Sequence, residues 1–153
     1  MSYIFSIEGL ETTYQEHEHI YRKHYAEMQE RLLKEGVSLP EYNPRLDIYF
    51  SQNNSGGLVH YKIRCDGVPV GHSNIYIFES MHNRMRMASE DTIYVLPEHR
   101  NGVGRKFSKF ILEDLKQRGV MQLQVTAMTD LRVVKLWTRM GFKPVATTMI
   151  YTF

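Results

Sequence analysis

Residues 92–125, TIYVLPEHRNGVGRKFSKFILEDLKQRGVMQLQV, constrain the fold more than any other stretch. TIYVL reads as a strand that stops at Pro97. Phe107, Phe110, Ile111 and Leu115 then recur at helical spacing, and VMQLQV alternates as a second strand. Two strands joined through a helix in one sheet must run parallel. Upstream, LVHYKIRC and VPVGHSNIYIFES are β runs separated by Asp66-Gly67, the strongest short hairpin signal in the chain, and a hairpin makes its strands antiparallel. A sheet holding both kinds of pairing is mixed. The fold class is therefore α/β (α+β mixed sheet), a central twisted sheet flanked by helices.

The remaining elements follow from pattern. YIFSIEGL is a first strand. From Thr13, residues Tyr14, His17, Tyr21, Tyr25, Met28 and Leu32 fit one helical face that closes at KEG, residues 34–36. VSLPEYNPR is a connector, LDIYF a further strand and SQNNSGG a polar turn. SMHNRMR is a loop leading into the strand MASEDTIYVL. Asp130 is the expected N-cap of a last helix, LRVVKLWTRM, stopped by Gly141, and PVATTMIYTF predicts a β-rich tail. No repeat or long linker divides the 153 residues, so residues 1–153 are expected to form one domain.

A net charge of +2 is too small to call for nucleic acid or a polybasic membrane contact. The single cysteine, Cys65, excludes an internal disulfide and sits in an apolar run as a buried, inert thiol. With no signal-like start and no membrane-length apolar run, a cytoplasmic location is expected.

Charge is instead concentrated in the corner between TIYVL and the following helix. Gly102 and Gly104 lie among Arg100, Arg105, Lys106 and Lys109. Cations in a first helical turn oppose the helix dipole, so a sequence that places them there has a negative group to offset them. Backbone amides at a glycine-rich helix start suit phosphate, and the alternative is a plain solvated turn. Neither the Walker A pattern nor the dinucleotide glycine fingerprint is present.

IYVLPEHRNGVGRKFSKFILEDLKQRGV followed by LWTRMGFKPV resembles the GCN5-related N-acetyltransferase (GNAT) superfamily, in which a basic, glycine-containing loop lies between the fourth strand and third helix. Within it, EDTIYVLPEHR and SMHN look most like acetyltransferases of tailed bacteriophages, which would place the protein in the host cytoplasm. The resemblance implies an acyl-CoA-dependent N-acyltransferase using acetyl-CoA and no metal. It implies a cofactor site at Tyr94, Val95, Leu96, Arg100, Asn101, Gly102, Val103, Gly104, Arg105 and Lys106, with the amides of Asn101 to Lys106 on the pyrophosphate. From Arg100 to Gly104 this loop is one residue shorter than usual, so either His99 stands for the first basic residue or the loop is tighter. Trp137 occupies the place where many relatives carry a tyrosine acid. Its indole cannot donate a proton as an acid, and it is expected beside the thioester as a packing residue.

In the superfamily the amine attacks the thioester directly, which requires a base and an oxyanion donor. Glu90 and Asp91 are the candidate bases, expected on opposite faces of their strand by alternation, and the Val95 N–H is the candidate donor. Structural roles for both acids remain the alternative. Tyr21, His24 and Tyr25 would contact the acceptor if the first helix lines its cleft, and otherwise form a packing stripe; His82 is a further acceptor candidate. The histidines of HEHIYRKHY do not match a metalloprotease motif, and no metal is expected. The acceptor would be a small-molecule amine or a protein or peptide amine, and the β-rich tail could pair two copies as a homodimer. The rival function is a catalytically idle GNAT-fold protein acting through partner contacts.

Overall fold

The computed structural model describes residues 1–128 and 132–153. Its elements are β1 (Tyr3–Ile7), α1 (Leu10–Leu33), α2 (Leu46–Asn54), β2 (Leu58–Cys65), β3 (Val68–Glu79), β4 (Arg86–Val95), α3 (Val103–Gln117), β5 (Gln122–Gln124) and α4 (Arg132–Arg139). The expected N-cap Asp130 lies outside the described residues. The five strands form one sheet in the order β1-β2-β3-β4-β5. Its first three pairings are antiparallel and β4–β5 is parallel, so the hairpin and the crossover are both present. Asp66 and Gly67 take φ of 50° and 85°, the paired positive angles that a two-residue hairpin turn requires.

The chain divides into two compact units, Met1–Tyr21 with Pro44–Val125, and Arg22–Asn43 with Thr126–Phe153. The first holds the whole sheet. Its two faces are covered differently, because alternate residues of β2 point opposite ways. Toward α3, Tyr61 donates to Asp114 Oδ2 at 2.6 Å, and Phe5 of β1 packs on Phe107 and Phe110. Phe107, Ile111 and Leu115 are buried, the face predicted from their spacing.

Toward α1 the packing is polar. His17, His60 and His72 are fully buried, with ring centroids 5.4–6.4 Å apart, and Tyr21 stacks on His72 at 4.1 Å. Lys62, also fully buried, reaches Glu16 at 3.1 Å and Glu8 at 3.4 Å, and Arg64 joins the same two carboxylates. These pairings hold Glu8 and Glu16 down to about 2. Asn53 links the elements: its Oδ1 accepts from the Leu10 N–H at 3.0 Å, capping α1, and its Nδ2 donates to the Leu58 carbonyl at 2.9 Å.

Three expectations are corrected. LDIYF is the start of helix α2, not a strand: Pro44 precedes it, Asp47 favours the helix N-terminus, and SQNN continues the turn to Asn54. Helix α1 begins at Leu10 rather than Thr13, because Asn53 supplies its cap. PVATTMIYTF contains no strand; Val145, Met149, Tyr151 and Phe153 are each at least 79% exposed, and strand propensity forms no ladder without a partner.

In the second unit Tyr25 donates to the Pro40 carbonyl at 2.7 Å and packs on Tyr42. Trp137 of α4 is buried against Phe142 at 5.9 Å, where Gly141, at φ 100°, ends the helix.

Candidate active site

β4 is bonded to β3 along its length but to β5 only through Met87, Ala88 and Ser89. From Glu90 to Val95 its far edge has no strand partner among the described residues. The register decides which groups face that opening. The Leu96 N–H donates to Val70 O at 2.9 Å and the Leu96 carbonyl accepts from His99 N at 2.9 Å. Alternation therefore turns the Val95 N–H and carbonyl away from β3. The side chains of Tyr94 and Leu96 are buried in the core. Of Tyr94, Val95 and Leu96, only Val95 presents main-chain groups to the open side.

The next corner is built from backbone. A 3-10 turn at Pro97–His99 reverses the chain, and the Asn101 N–H is spent on His99 O at 3.0 Å. Gly102 has φ 94°, a conformation that side-chain-bearing residues rarely adopt, and it forms the N-cap of α3 without any side-chain cap bond. The N–H groups of Gly102, Val103, Gly104 and Arg105 have no intrahelical acceptor. No acid lies in that first turn. A Cβ added at Gly104 would meet nothing within 4 Å, so the helix start stands bare. Of the amides expected to form a cradle, those of Gly102 to Arg105 are unbonded within the helix, whereas Asn101 and Lys106 are engaged by the chain.

The two basic groups at the loop's entrance are engaged by the protein. His99 Nδ1 lies 3.0 Å from the Tyr3 hydroxyl. Arg100 donates from Nε to Val95 O at 2.8 Å, with its guanidinium 5.0 Å from the Tyr94 ring centroid. Arg105, Lys106 and Lys109 are exposed on α3. These cations and the unbonded amides suit the diphosphate of a CoA-type ligand.

Upstream, Thr92 lies opposite Asn74 and Glu90 opposite Ile75, leaving Asp91 as the extra residue of a β-bulge. The bulge breaks the simple alternation expected for Glu90 and Asp91. Asp91 accepts from the Tyr49 hydroxyl at 2.7 Å, whereas no hydrogen bond holds the Glu90 carboxyl among the described residues. Burial, and then the Asp91 charge, pushes Glu90 up to about 8. Burial raises Asp91 as well, and the Tyr49 bond works against it. Tyr21, Tyr49 and Tyr76 all titrate above the usual phenol range, chiefly from burial, and each feels the Asp91 charge.

Tyr21 is buried with its hydroxyl accepting from Asn74 Nδ2 at 2.7 Å, which places it in the packing of α1 on the sheet. His24 and Tyr25 belong to the second unit, as does Trp137. His82 is exposed in the loop before β4. Tyr49 and Tyr76 were not anticipated beside Asp91. Reading Pro44, Asp47 and the polar SQNN as a helix start would have exposed Tyr49; the bulge that orients Asp91 has no signal in β4 alone. Among the described residues no group of three or more His, Cys, Asp or Glu is placed to hold a metal ion, and no helix is long and apolar enough to cross a membrane.

This arrangement, a mixed sheet with a parted fourth strand leading to an uncapped helix start, defines an acetyltransferase-type fold. A family model described as the acetyltransferase (GNAT) family matches residues 11–142, and the chain belongs to that family. It is similar in fold to a ribosomal-protein-alanine N-acetyltransferase from Brucella melitensis biovar Abortus 2308, with TM-score 0.68, 15% identity and 100% of each chain covered. Glucosamine-6-phosphate N-acetyltransferase from Arabidopsis thaliana aligns with TM-score 0.69 and 12% identity over 100% of this chain and 99% of that one. A predicted acetyltransferase with acetyl-CoA from Clostridium acetobutylicum aligns with TM-score 0.66 and 13% identity, covering 99% of this chain and 96% of that one. No curated protein shows significant sequence similarity to the chain.

Proposed function

We propose that the protein transfers an acetyl group from acetyl-CoA to an amine by direct attack in a ternary complex, as a single acyltransferase domain over residues 1–153. The observation that carries this reading is the uncapped, cation-flanked start of α3 at the end of a strand whose far edge is open. The amides of Gly102 to Arg105, with the Arg105 and Lys106 side chains, would hold the diphosphate. Arg100 acts one step back, fixing the end of β4 through Val95 O. Acetyl-CoA supplies an acyl group activated as a thioester.

Glu90 takes a proton from the acceptor ammonium, directly or through water, so that the free amine can attack the acyl carbon. Its raised titration suits a base working near neutral pH. The Val95 N–H donates to the acyl oxygen as negative charge gathers there. The C–S bond then breaks and the departing thiolate takes a proton from solvent. Burial, with the neighbouring Asp91 charge as a smaller contribution, keeps Glu90 protonated until about pH 8, and Tyr49 holds Asp91 in place.

The acceptor is an amine, of a small molecule or of a protein or peptide. The similar structures include enzymes named for a ribosomal-protein alanine and for glucosamine-6-phosphate, so the shared fold accommodates both classes. Among the residues expected to contact it, His82 is exposed in the loop before β4 and is the one proposed for it. The phage-like stretches EDTIYVLPEHR and SMHN support action in a host cytoplasm.

Thermal unfolding in rising acetyl-CoA tests the reading. A ligand that binds only the folded chain stabilises it by about 2.7 kcal/mol at a hundred times its dissociation constant. No rise in Tm would overturn the proposal. A rise without thiol release across an amine panel would favour the idle CoA-binding protein.

A further inference from the structure

Gly71 of β3 lies directly opposite Val95 at the end of β4. A Cβ on Gly71 would stand 2.8 Å from the Tyr94 carbonyl oxygen, 2.9 Å from Ile63 Cδ1 and 3.4 Å from Val95 Cα. Gly71 is not among the glycines with positive φ, so close approach, and not an unusual backbone angle, excludes a side chain there. Its neighbours differ in kind. Ile63 Cδ1 is the tip of a side chain that can swing, whereas the Tyr94 oxygen belongs to backbone held in the β3–β4 ladder.

That oxygen and the Val95 N–H are opposite ends of one rigid, planar peptide unit. Pressure on the oxygen from the β3 side cannot be absorbed within the unit, and it tilts or displaces the N–H that faces the open edge. Val95 is also fixed from beyond the peptide, since its carbonyl accepts from Arg100 at 2.8 Å and the next N–H, Leu96, donates to Val70. The peptide is thus clamped on its C-terminal side and depends on Gly71 for its lateral position.

We propose that Gly71 is a positioning residue for acyl transfer: its missing side chain lets the Tyr94–Val95 peptide lie close against β3 and so aims the Val95 N–H into the opening beside β4. The inference rests on the acetyl-transfer reading above. Oxyanion donors act over a few tenths of an ångström, so a displacement of this size reduces turnover without touching the residues that bind the donor.

Four proteins separate peptide placement from packing: wild type, Gly71→Ala, Ile63→Val, and the double variant. Ile63→Val removes Cδ1, and with it the side-chain clash, but leaves the Tyr94 oxygen in place. Gly71→Ala is expected to lower kcat by about tenfold or more while KM and Kd for acetyl-CoA stay near wild type. Ile63→Val retains wild-type kcat. The double variant recovers Tm but remains as slow as Gly71→Ala. The Val95 amide resonance shifts in both alanine-bearing proteins and holds still in Ile63→Val.

Recovery of kcat in the double variant would trace the defect to core packing and overturn the proposal, as would an unmoved Val95 amide. If Gly71→Ala does not accumulate as folded protein, the double variant against Ile63→Val carries the same comparison. A wild type that neither binds acetyl-CoA nor releases thiol would refute the acetyl-transfer reading by itself, and the Val95 amide would still decide whether Gly71 sets the peptide.

Discussion

The Tyr49 hydroxyl donates to Asp91 Oδ2 at 2.7 Å, joining helix α2 to the bulged residue of β4. The bond separates two adjacent acids by role, because Asp91 has a neutral partner and Glu90 has none among the described residues. In Tyr49→Phe the Asp91 carboxyl should titrate higher still, since the hydroxyl is the group that lowers it. Losing the bond should lower stability by about 1 kcal/mol. Urea unfolding and carboxyl titration by NMR read the two effects, and an unshifted Asp91 would show that the bond is absent in solution.

Glu90→Gln should reduce turnover by about a hundredfold or more with little change in acetyl-CoA affinity. The wild-type rate should climb with pH through about 8 as Glu90 ionises, and the variant should lack that limb. Stability moves the other way. Glu90 ionises near 4.5 in the unfolded chain but near 8 in the folded one, so between those values the unfolded state is favoured increasingly as pH rises. Glu90→Gln should therefore gain stability over wild type across that window and match it below about pH 4.

Gly104→Leu should abolish acetyl-CoA binding yet leave Tm near wild type, because a side chain there meets none of the protein's own atoms at its Cβ. Gly102→Leu should lose both, since φ of 94° strains any side-chain-bearing residue. Calorimetric titration beside thermal unfolding separates them. Undiminished binding by Gly104→Leu would remove the loop from the site.

The histidine packing under α1 predicts acid sensitivity. Burial, reinforced by the Lys62 charge, lowers His17 from 6.5 to about 3, and burial lowers His60 to about 4. Lys62 and Arg64 from β2 and Glu16 from α1 face His17, and Glu8 and Lys62 act on His60. The unfolded chain binds protons first, so this stability is present above about pH 6.5 and is lost as pH falls toward 4. The slope can reach about 1.4 kcal/mol per pH unit for each imidazole. His17→Leu should flatten it, because both ring nitrogens of His17 lack a hydrogen-bond partner among the described residues and an apolar side chain forfeits none. Urea unfolding between pH 4 and 7 measures both slopes, and an equal slope in the variant would contradict the assignment.

What the sequence made legible follows the range of the interactions involved. Asp66-Gly67 and the Gly102 corner depend on local backbone chemistry, and both were readable from a few residues. The crossover was readable because helix and strand periods differ. The bulge at Asp91 was not, since it is a mismatch of register between β3 and β4 that neither strand carries alone. LDIYF misled for a related reason: five apolar-rich residues fit a strand or a helix turn equally, and Pro44 before them with Asp47 in their first turn decides between the two. The tail misled through propensity, as Thr147, Ile150 and Tyr151 favour strands but find no ladder in this chain.

Asn53 fastens the beginning of α1 and the beginning of β2 through the two ends of one amide. The two ends have opposite chemistry, an acceptor toward Leu10 and a donor toward Leu58, so aspartate would satisfy the first and repel the second. Spontaneous loss of ammonia, the ordinary ageing reaction of asparagine, makes that replacement without any mutation. A stored sample would then loosen at this clasp first, with the longest helix working free of the sheet that holds the acids.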